Sequence, residues 1–124
     1  GDGGLQMTMQ EYGTIMEYNL DVKIILLNNN YLGMVRQWQE LFFQERYSET
    51  HLKNPDFIKV AEAYNIKGRK VTRREELDDA ISEMLNHKGS FLLEVVVETK
   101  GMVYPMVPAG GCVTNILLGN GHTL

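Results

Sequence analysis

The chain has 124 residues, with 12 Lys and Arg against 16 Asp and Glu and 44% hydrophobic residues, which suits one domain with a real core. Its basic residues (Lys23, Arg36, Arg46, Arg73 and Arg74) are scattered rather than gathered on a face, which argues against nucleic acid as a partner. A single cysteine, Cys112, excludes an internal disulfide, and no stretch nears the roughly 20 apolar residues of a membrane span, so a soluble, cytoplasmic protein is expected.

The chain opens on Gly1-Asp2-Gly3-Gly4, without an initiator Met and without a strand ahead of the loop, which reads as a fragment of a longer polypeptide. Leu5, Met9, Tyr12 and Met16, widened by Ile15, recur at helical spacing and predict an amphipathic helix from Gly4 to about Tyr18. Val22 to Leu27 is a continuous apolar run of strand length, suited to a parallel strand covered on both faces. Asn28 to Tyr31 follows as a loop at its crest. A second helix is expected from Leu32 to Gln44, with Val35, Trp38 and Leu41/Phe42 on one face, and then a polar loop from Glu45 to Lys53.

Asn54 before Pro55 has the form of a capping side chain followed by proline at the first helical position, opening a helix over 55–64 with Phe57, Ala61 and Tyr64 on one face. Lys70 to Thr72 is a short strand candidate. Thr72-Arg73-Arg74-Glu75 resembles a capping box, with Leu77, Ile81, Met84 and Leu85 turned inward and Gly89 closing the helix. Phe91 to Val97 is a further apolar strand, and Gly101 to Gly111, with two prolines and three glycines, an irregular tail. Alternating helices and buried strands predict an α/β fold: three layers, a mostly parallel sheet flanked by helices.

Asp2 and Asn29 both fall at the carboxyl ends of strands, where open α/β sheets bind ligands. Mg²⁺ takes about six hard oxygens, usually one or two from protein with the rest from phosphate and water. A neutral Asn beside one Asp avoids adding charge repulsion next to a diphosphate. Gly3 and Gly4 let the backbone approach an anion, and a helix beginning there directs its positive end at it. The plain alternative is that Asp2 and the Asn run are turn residues. His51, His87 and His122 share no ligand spacing, Cys112 lacks a neighbouring base, Glu75-Glu76 and Asp78-Asp79 read as a solvated helix face, and Glu94 is out of place in an apolar strand.

Gly1-Asp2-Gly3 with Asn28-Asn29 resembles the diphosphate and metal signature of thiamine-diphosphate enzymes. Tyr31-Leu32-Gly33-Met34-Val35-Arg36-Gln37-Trp38-Gln39 resembles one branch of them, the large catalytic subunit of acetolactate (acetohydroxyacid) synthase. Asn54 to Ala63 and Val103 to Pro108 are similar to the same branch, so the likeness runs to about Gly111, and residues 112–124 depart from it as a C-terminal tail.

The resemblance implies that residues 1–111 are the C-terminal thiamine-diphosphate-binding domain, truncated at its N-terminus. Gly1, Asp2, Gly3, Gly4, Asn29, Tyr31, Leu32, Gly33 and Met34 would bind the cofactor. Asp2, Asn29 and the Tyr31 main-chain carbonyl would hold Mg²⁺, and Met34, Val35 and Trp38 would line the channel of the second keto acid. For Trp38 the ordinary alternative is core packing.

The implied reaction joins pyruvate to pyruvate or 2-oxobutyrate with loss of CO2, in branched-chain amino acid biosynthesis. It would take place in a homodimer or larger assembly with a regulatory small subunit, and FAD has room in the parent's middle domain but not here. The activating glutamate belongs to the family's first domain, so no catalytic residue is expected in this chain, and alone it should be inactive. The rivals are another thiamine-diphosphate-dependent 2-oxo acid decarboxylase or oxidase, which should lack the Gly33-Met34-Val35 to Trp38 run, and a non-catalytic α/β binding module.

Overall fold

Three parallel strands form the sheet in the computed structural model, which describes residues 1–119: β1 (Lys23–Asn28), β2 (Lys67–Val71) and β3 (Phe91–Val96). Their order is β1-β3-β2, so the last strand lies in the middle. Its residues Phe91 to Glu94 are all buried, as expected of a parallel strand covered on both faces. The register sets Leu26 of β1 and Lys70 of β2 on either side of Glu94.

Helices α1 (Asp2–Thr8), α2 (Tyr12–Glu17) and α4 (Phe57–Ala63) supply the layer on one face, where Tyr12, Phe57 and Ala61 pack with Leu26 and Leu92. Helix α5 (Leu77–Asn86) covers the other face, setting Ala80 and Met84 against Val71, Phe91 and Leu93. Each large apolar side chain so buried contributes about 1.5–3 kcal/mol. Helix α3 (Gly33–Phe42) follows the loop at the carboxyl end of β1. Among the described residues no helix is long and apolar enough to cross a membrane.

The expected first helix is broken by a 3₁₀ turn at Met9–Glu11. That tighter winding advances the apolar stripe by about 60° over three residues, so Ile15 packs on the core while Met16 is 40% exposed. Helix α4 begins at Phe57 and is capped by Asp56, whose carboxylate accepts from the Lys59 amide at 3.2 Å; Asn54 is not the cap. Thr72 caps nothing either, because a 3₁₀ turn at Arg74–Glu76 precedes α5, and Ala80 takes the inward place expected of Leu85, which is 64% exposed.

Helix α3 turns its expected face outward. Val35 and Phe42 are half exposed, while Arg36 and Gln37 are buried at 3% and 1%. The tail against which α3 packs brings backbone groups that need partners, and buried main-chain groups must be paired. Gln37 donates to the Val103 carbonyl at 3.0 Å and accepts from the Val103 amide at 2.8 Å. Arg36 pairs with Glu40, donates to the Thr99 carbonyl at 3.3 Å and lies between the rings of Tyr31 and Tyr47. Beyond Gly101 the tail is irregular as expected, and Met106 exchanges two backbone hydrogen bonds with Leu117, so residues 112–117 fold back on it rather than trail away.

Candidate functional site

Asp2 opens α1 and is 1% exposed. One carboxylate oxygen, Oδ2, accepts from the Asn54 carboxamide at 2.7 Å; the other, Oδ1, is buried and has no hydrogen-bond partner. An unpaired buried carboxylate oxygen is costly, by about 1–3 kcal/mol or more, unless a cation completes it.

The Asn54 amide also lies within 3.0 Å of Asn30 Oδ1 and 3.2 Å of Asn28 Oδ1, while its own oxygen accepts from Gln6 Nε2 at 2.7 Å. A carboxylate only accepts, which fixes which end of the carboxamide faces Asp2. Asn54 therefore ties the start of α1 to the loop after β1.

That loop is held by its own asparagines. Asn28 Oδ1 accepts from the Asn30 amide at 3.0 Å, and Asn30 takes a left-handed backbone angle, φ 58°, which asparagine tolerates. Asn29 Oδ1 accepts from the Tyr31 amide at 3.1 Å, and a carbonyl oxygen has a second lone pair free. From below, buried Asn28 donates to Glu94 Oε1 at 2.8 Å, and the same oxygen meets Lys70 Nζ at 2.9 Å. Two backbone bonds of 2.8 Å, Leu32 amide to Thr50 and Leu52 amide to Asn30, fasten the loop to the segment around His51.

Glycine leaves close room where these parts meet, and a larger residue would make the neighbouring side chains shift. A Cβ on Gly3 would come within 2.8 Å of Leu32 Cδ2, and one on Gly33 within 3.1 Å of Asn29 Nδ2. Helix α3 has no side-chain cap at its N-terminus, which leaves its first-turn amides free to receive an anion.

A cavity of about 720 Å³ lies here. Gly1, Asp2, Gly3, Gly4, Asn29, Tyr31, Leu32, Gly33 and Met34 all border it, as does Val35. Trp38 does not; it lines a neighbouring groove of about 400 Å³ with Val35, Gln39, Phe43 and Arg46, its ring 5.1 Å from that of Phe42. The far wall is formed by Val97, Glu98 and Gly101 to Val103, which sequence reasoning missed. Among the described residues no Lys, Arg or His side chain borders the cavity, and Asp2 and Glu98 are the carboxylates that do.

The donor set fits Mg²⁺: one carboxylate oxygen without a partner, one carboxamide and main-chain oxygens, all hard ligands. It does not fit zinc, and among the described residues no three His, Cys, Asp or Glu side chains gather into a metal-holding group. His51 stacks edge-on against Tyr31 and His87 against Phe91, while His122 lies outside the described residues. Cys112 is exposed and does not border the cavity; its hydrogen bond with Thr114 holds the thiol below the usual range.

Besides that far wall, Asn54 and Glu94, which brace Asp2 and the asparagine loop, were missed by sequence reasoning. The signal for Glu94 was its presence in an apolar strand; Asn54 was masked by its likeness to a cap.

Residues 1–95 match the family described as thiamine pyrophosphate enzyme, C-terminal TPP binding domain. The acetolactate synthase isozyme 2 large subunit of Escherichia coli (strain K12) is 48% identical over 118 residues, which is 94% of this chain and 22% of that protein. The mitochondrial acetolactate synthase catalytic subunit of Saccharomyces cerevisiae is 49% identical over 110 residues, 89% of this chain and 16% of its own length. The chain thus spans about a fifth of the curated relatives it matches. In fold it is similar to a thiamine diphosphate-dependent 4-hydroxybenzoylformate decarboxylase from Rhodococcus jostii RHA1, with a TM-score of 0.74 at 24% identity over 82% of this chain and 19% of that one.

Proposed function

Because the chain belongs to the family of the C-terminal TPP-binding domain of thiamine pyrophosphate enzymes, we propose that it supplies the diphosphate and Mg²⁺ anchorage of an acetolactate synthase catalytic subunit. The observation that carries this reading is the unpartnered Oδ1 of Asp2 beside a cavity that, among the described residues, has no basic side chain on its wall. A diphosphate entering there finds no Lys or Arg to balance its charge, so it must arrive with a cation, and Asp2 is the carboxylate positioned to hold one.

Asp2 Oδ1 and Asn29 Oδ1 are the side-chain ligands in this reading, with the Tyr31 carbonyl as the third protein oxygen. The backbone at Gly3 and Gly4 and the open first turn of α3 at Gly33 and Met34 receive the phosphate oxygens. Bound thiamine diphosphate supplies the carbon chemistry, and the protein's part is to anchor and orient it. Met34 and Val35, both at least half exposed, give the cavity an apolar rim, and Trp38 continues it into the neighbouring groove. Such a rim favours a larger alkyl substituent by only about 1–3 kcal/mol per methylene.

With acetolactate synthase subunits as its relatives, the reading takes pyruvate as first substrate and pyruvate or 2-oxobutyrate as second. In this reading the activating glutamate and any FAD come from the family's other domains, and the enzyme is a cytoplasmic homodimer or larger assembly with a regulatory small subunit.

A chimera tests the reading: this chain replaces the matching segment of the Escherichia coli relative. It is expected to form acetolactate from pyruvate only with thiamine diphosphate and Mg²⁺, while the 124-residue chain alone forms none. Asp2→Ala in the chimera should weaken cofactor binding by at least about tenfold. A folded chimera that binds the cofactor equally well with and without the Asp2 carboxylate overturns the proposal.

A further inference from the structure

We propose that Asn54 is a positioning residue of the cation site, selecting Asp2 Oδ1 as the coordinating oxygen by engaging Oδ2. This rests on the reading of Asp2 as a cation ligand and adds a residue to it. Of the two Asp2 oxygens, Oδ2 accepts from Asn54 at 2.7 Å and Oδ1 has no partner. Without the Asn54 donor the carboxylate is free to rotate about χ2 or to offer either oxygen, and a terminal sp³–sp² torsion has only broad preferences of its own.

Asn54 is itself fixed from several directions. Gln6 of α1 donates to its oxygen, and its amide faces Asn28 and Asn30 of the metal loop as well as Asp2. The brace continues into the sheet, because Asn28 donates to buried Glu94 on the central strand and Glu94 pairs with Lys70. One carboxamide thus couples the orientation of the Asp2 carboxylate to the loop that carries Asn29. Groups that orient a metal ligand from behind typically change metal affinity by about 10–100-fold when removed. Asn54 is also released from capping duty, since Asp56 caps α4 in its place.

The test uses the 124-residue chain, ¹⁵N-labelled and titrated with Mn²⁺ in fixed excess inorganic pyrophosphate. The readout is paramagnetic broadening of the Gly3 and Gly33 amide signals. The original chain should broaden at these glycines and Asp2→Ala should not. Asn54→Leu, with the same branching of heavy atoms but without a donor, should raise the Mn²⁺ midpoint by about 10–100-fold with its spectrum still dispersed, and Asn54→Gln, which keeps the donor, should recover much of that.

An Asn54→Leu midpoint within about twofold of the original, with Asp2→Ala still silent, overturns the positioning role and leaves the cation site standing. Broadening unaffected by Asp2→Ala, or absent from the original chain, removes the cation site and this inference with it. A second measurement needs no altered fold: the Asn54 side-chain amide protons of the original chain should exchange slowly with solvent. Exchange at the rate of a free carboxamide contradicts the proposal.

Discussion

Glu94 is 1% exposed in the middle strand, yet its role is to serve a loop: Oε1 accepts from Asn28, which opens the run carrying Asn29. Lys70, its ionic partner, is 49% exposed and stays hydrated when the carboxylate is removed, so that change strands no buried cation. The greater cost is a buried Asn28 amide without an acceptor. Glu94→Leu, which keeps the volume, should therefore destabilise the chain by about 1–3 kcal/mol in urea unfolding. An unchanged midpoint would mean that Asn28 finds another partner. That Asp2 and Asn29 would meet at one cavity was legible in the sequence because their signals are local, glycines around a carboxylate and a run of asparagines after an apolar strand. Asn54 and Glu94 act through contacts 52 and 66 positions away, which no local pattern encodes.

At the level of elements, periodicity found the strands and most helices but could not say which way α3 faces. Its apolar stripe of Val35, Trp38 and Phe42 resembles a core face, whereas the inward residues are Arg36 and Gln37, chosen to satisfy the carbonyls of Thr99 and Val103. The demand comes from the tail, more than 60 residues further on. The caps failed for a nearer reason: Asn54 and Asp56 compete for one helix start, and Thr72 is separated from α5 by a 3₁₀ turn.

Beside the apolar contact of Val71 with Ala80 and Met84, an ion cluster joins β2 to α5, with Glu83 of α5 bound by Lys67 at 2.7 Å and Arg69 at 2.8 Å. Hydrogen bonds from Lys67 and then Arg69 hold the Glu83 carboxyl below the usual glutamate range. A depressed folded-state value means that the stabilisation is complete above the unfolded value and lost as the pH falls through the folded one. Glu83→Gln should thus melt at a lower temperature than the original chain at neutral pH. The gap should begin to close as the pH drops through about 4.3, the ordinary glutamate value, and vanish in stronger acid. A gap that does not depend on pH would assign the effect to packing instead.

As a molecule, the chain presents an open sheet. Among the described residues β1 pairs only with β3, and its Ile25 and Leu27 are 56% and 54% exposed. An apolar edge strand of this kind templates further pairing. Sedimentation should show concentration-dependent association that Ile25→Lys shifts toward monomer, and a clean monomer for the unaltered chain would show that the edge is already protected.

The fold, the parallel sheet and the position of the cavity at its carboxyl end followed from strand pattern and topology rules. The far wall at residues 97–103 did not, since an irregular tail has no period to read. The most direct measurement is the position of the cation itself, in a crystal structure of the chimera bound to thiamine diphosphate and Mg²⁺. Density for the ion about 2.1 Å from Asp2 Oδ1 and Asn29 Oδ1, with diphosphate oxygens completing the shell, is the predicted result. An ion held elsewhere, with both of those oxygens left out of its coordination, would contradict the account.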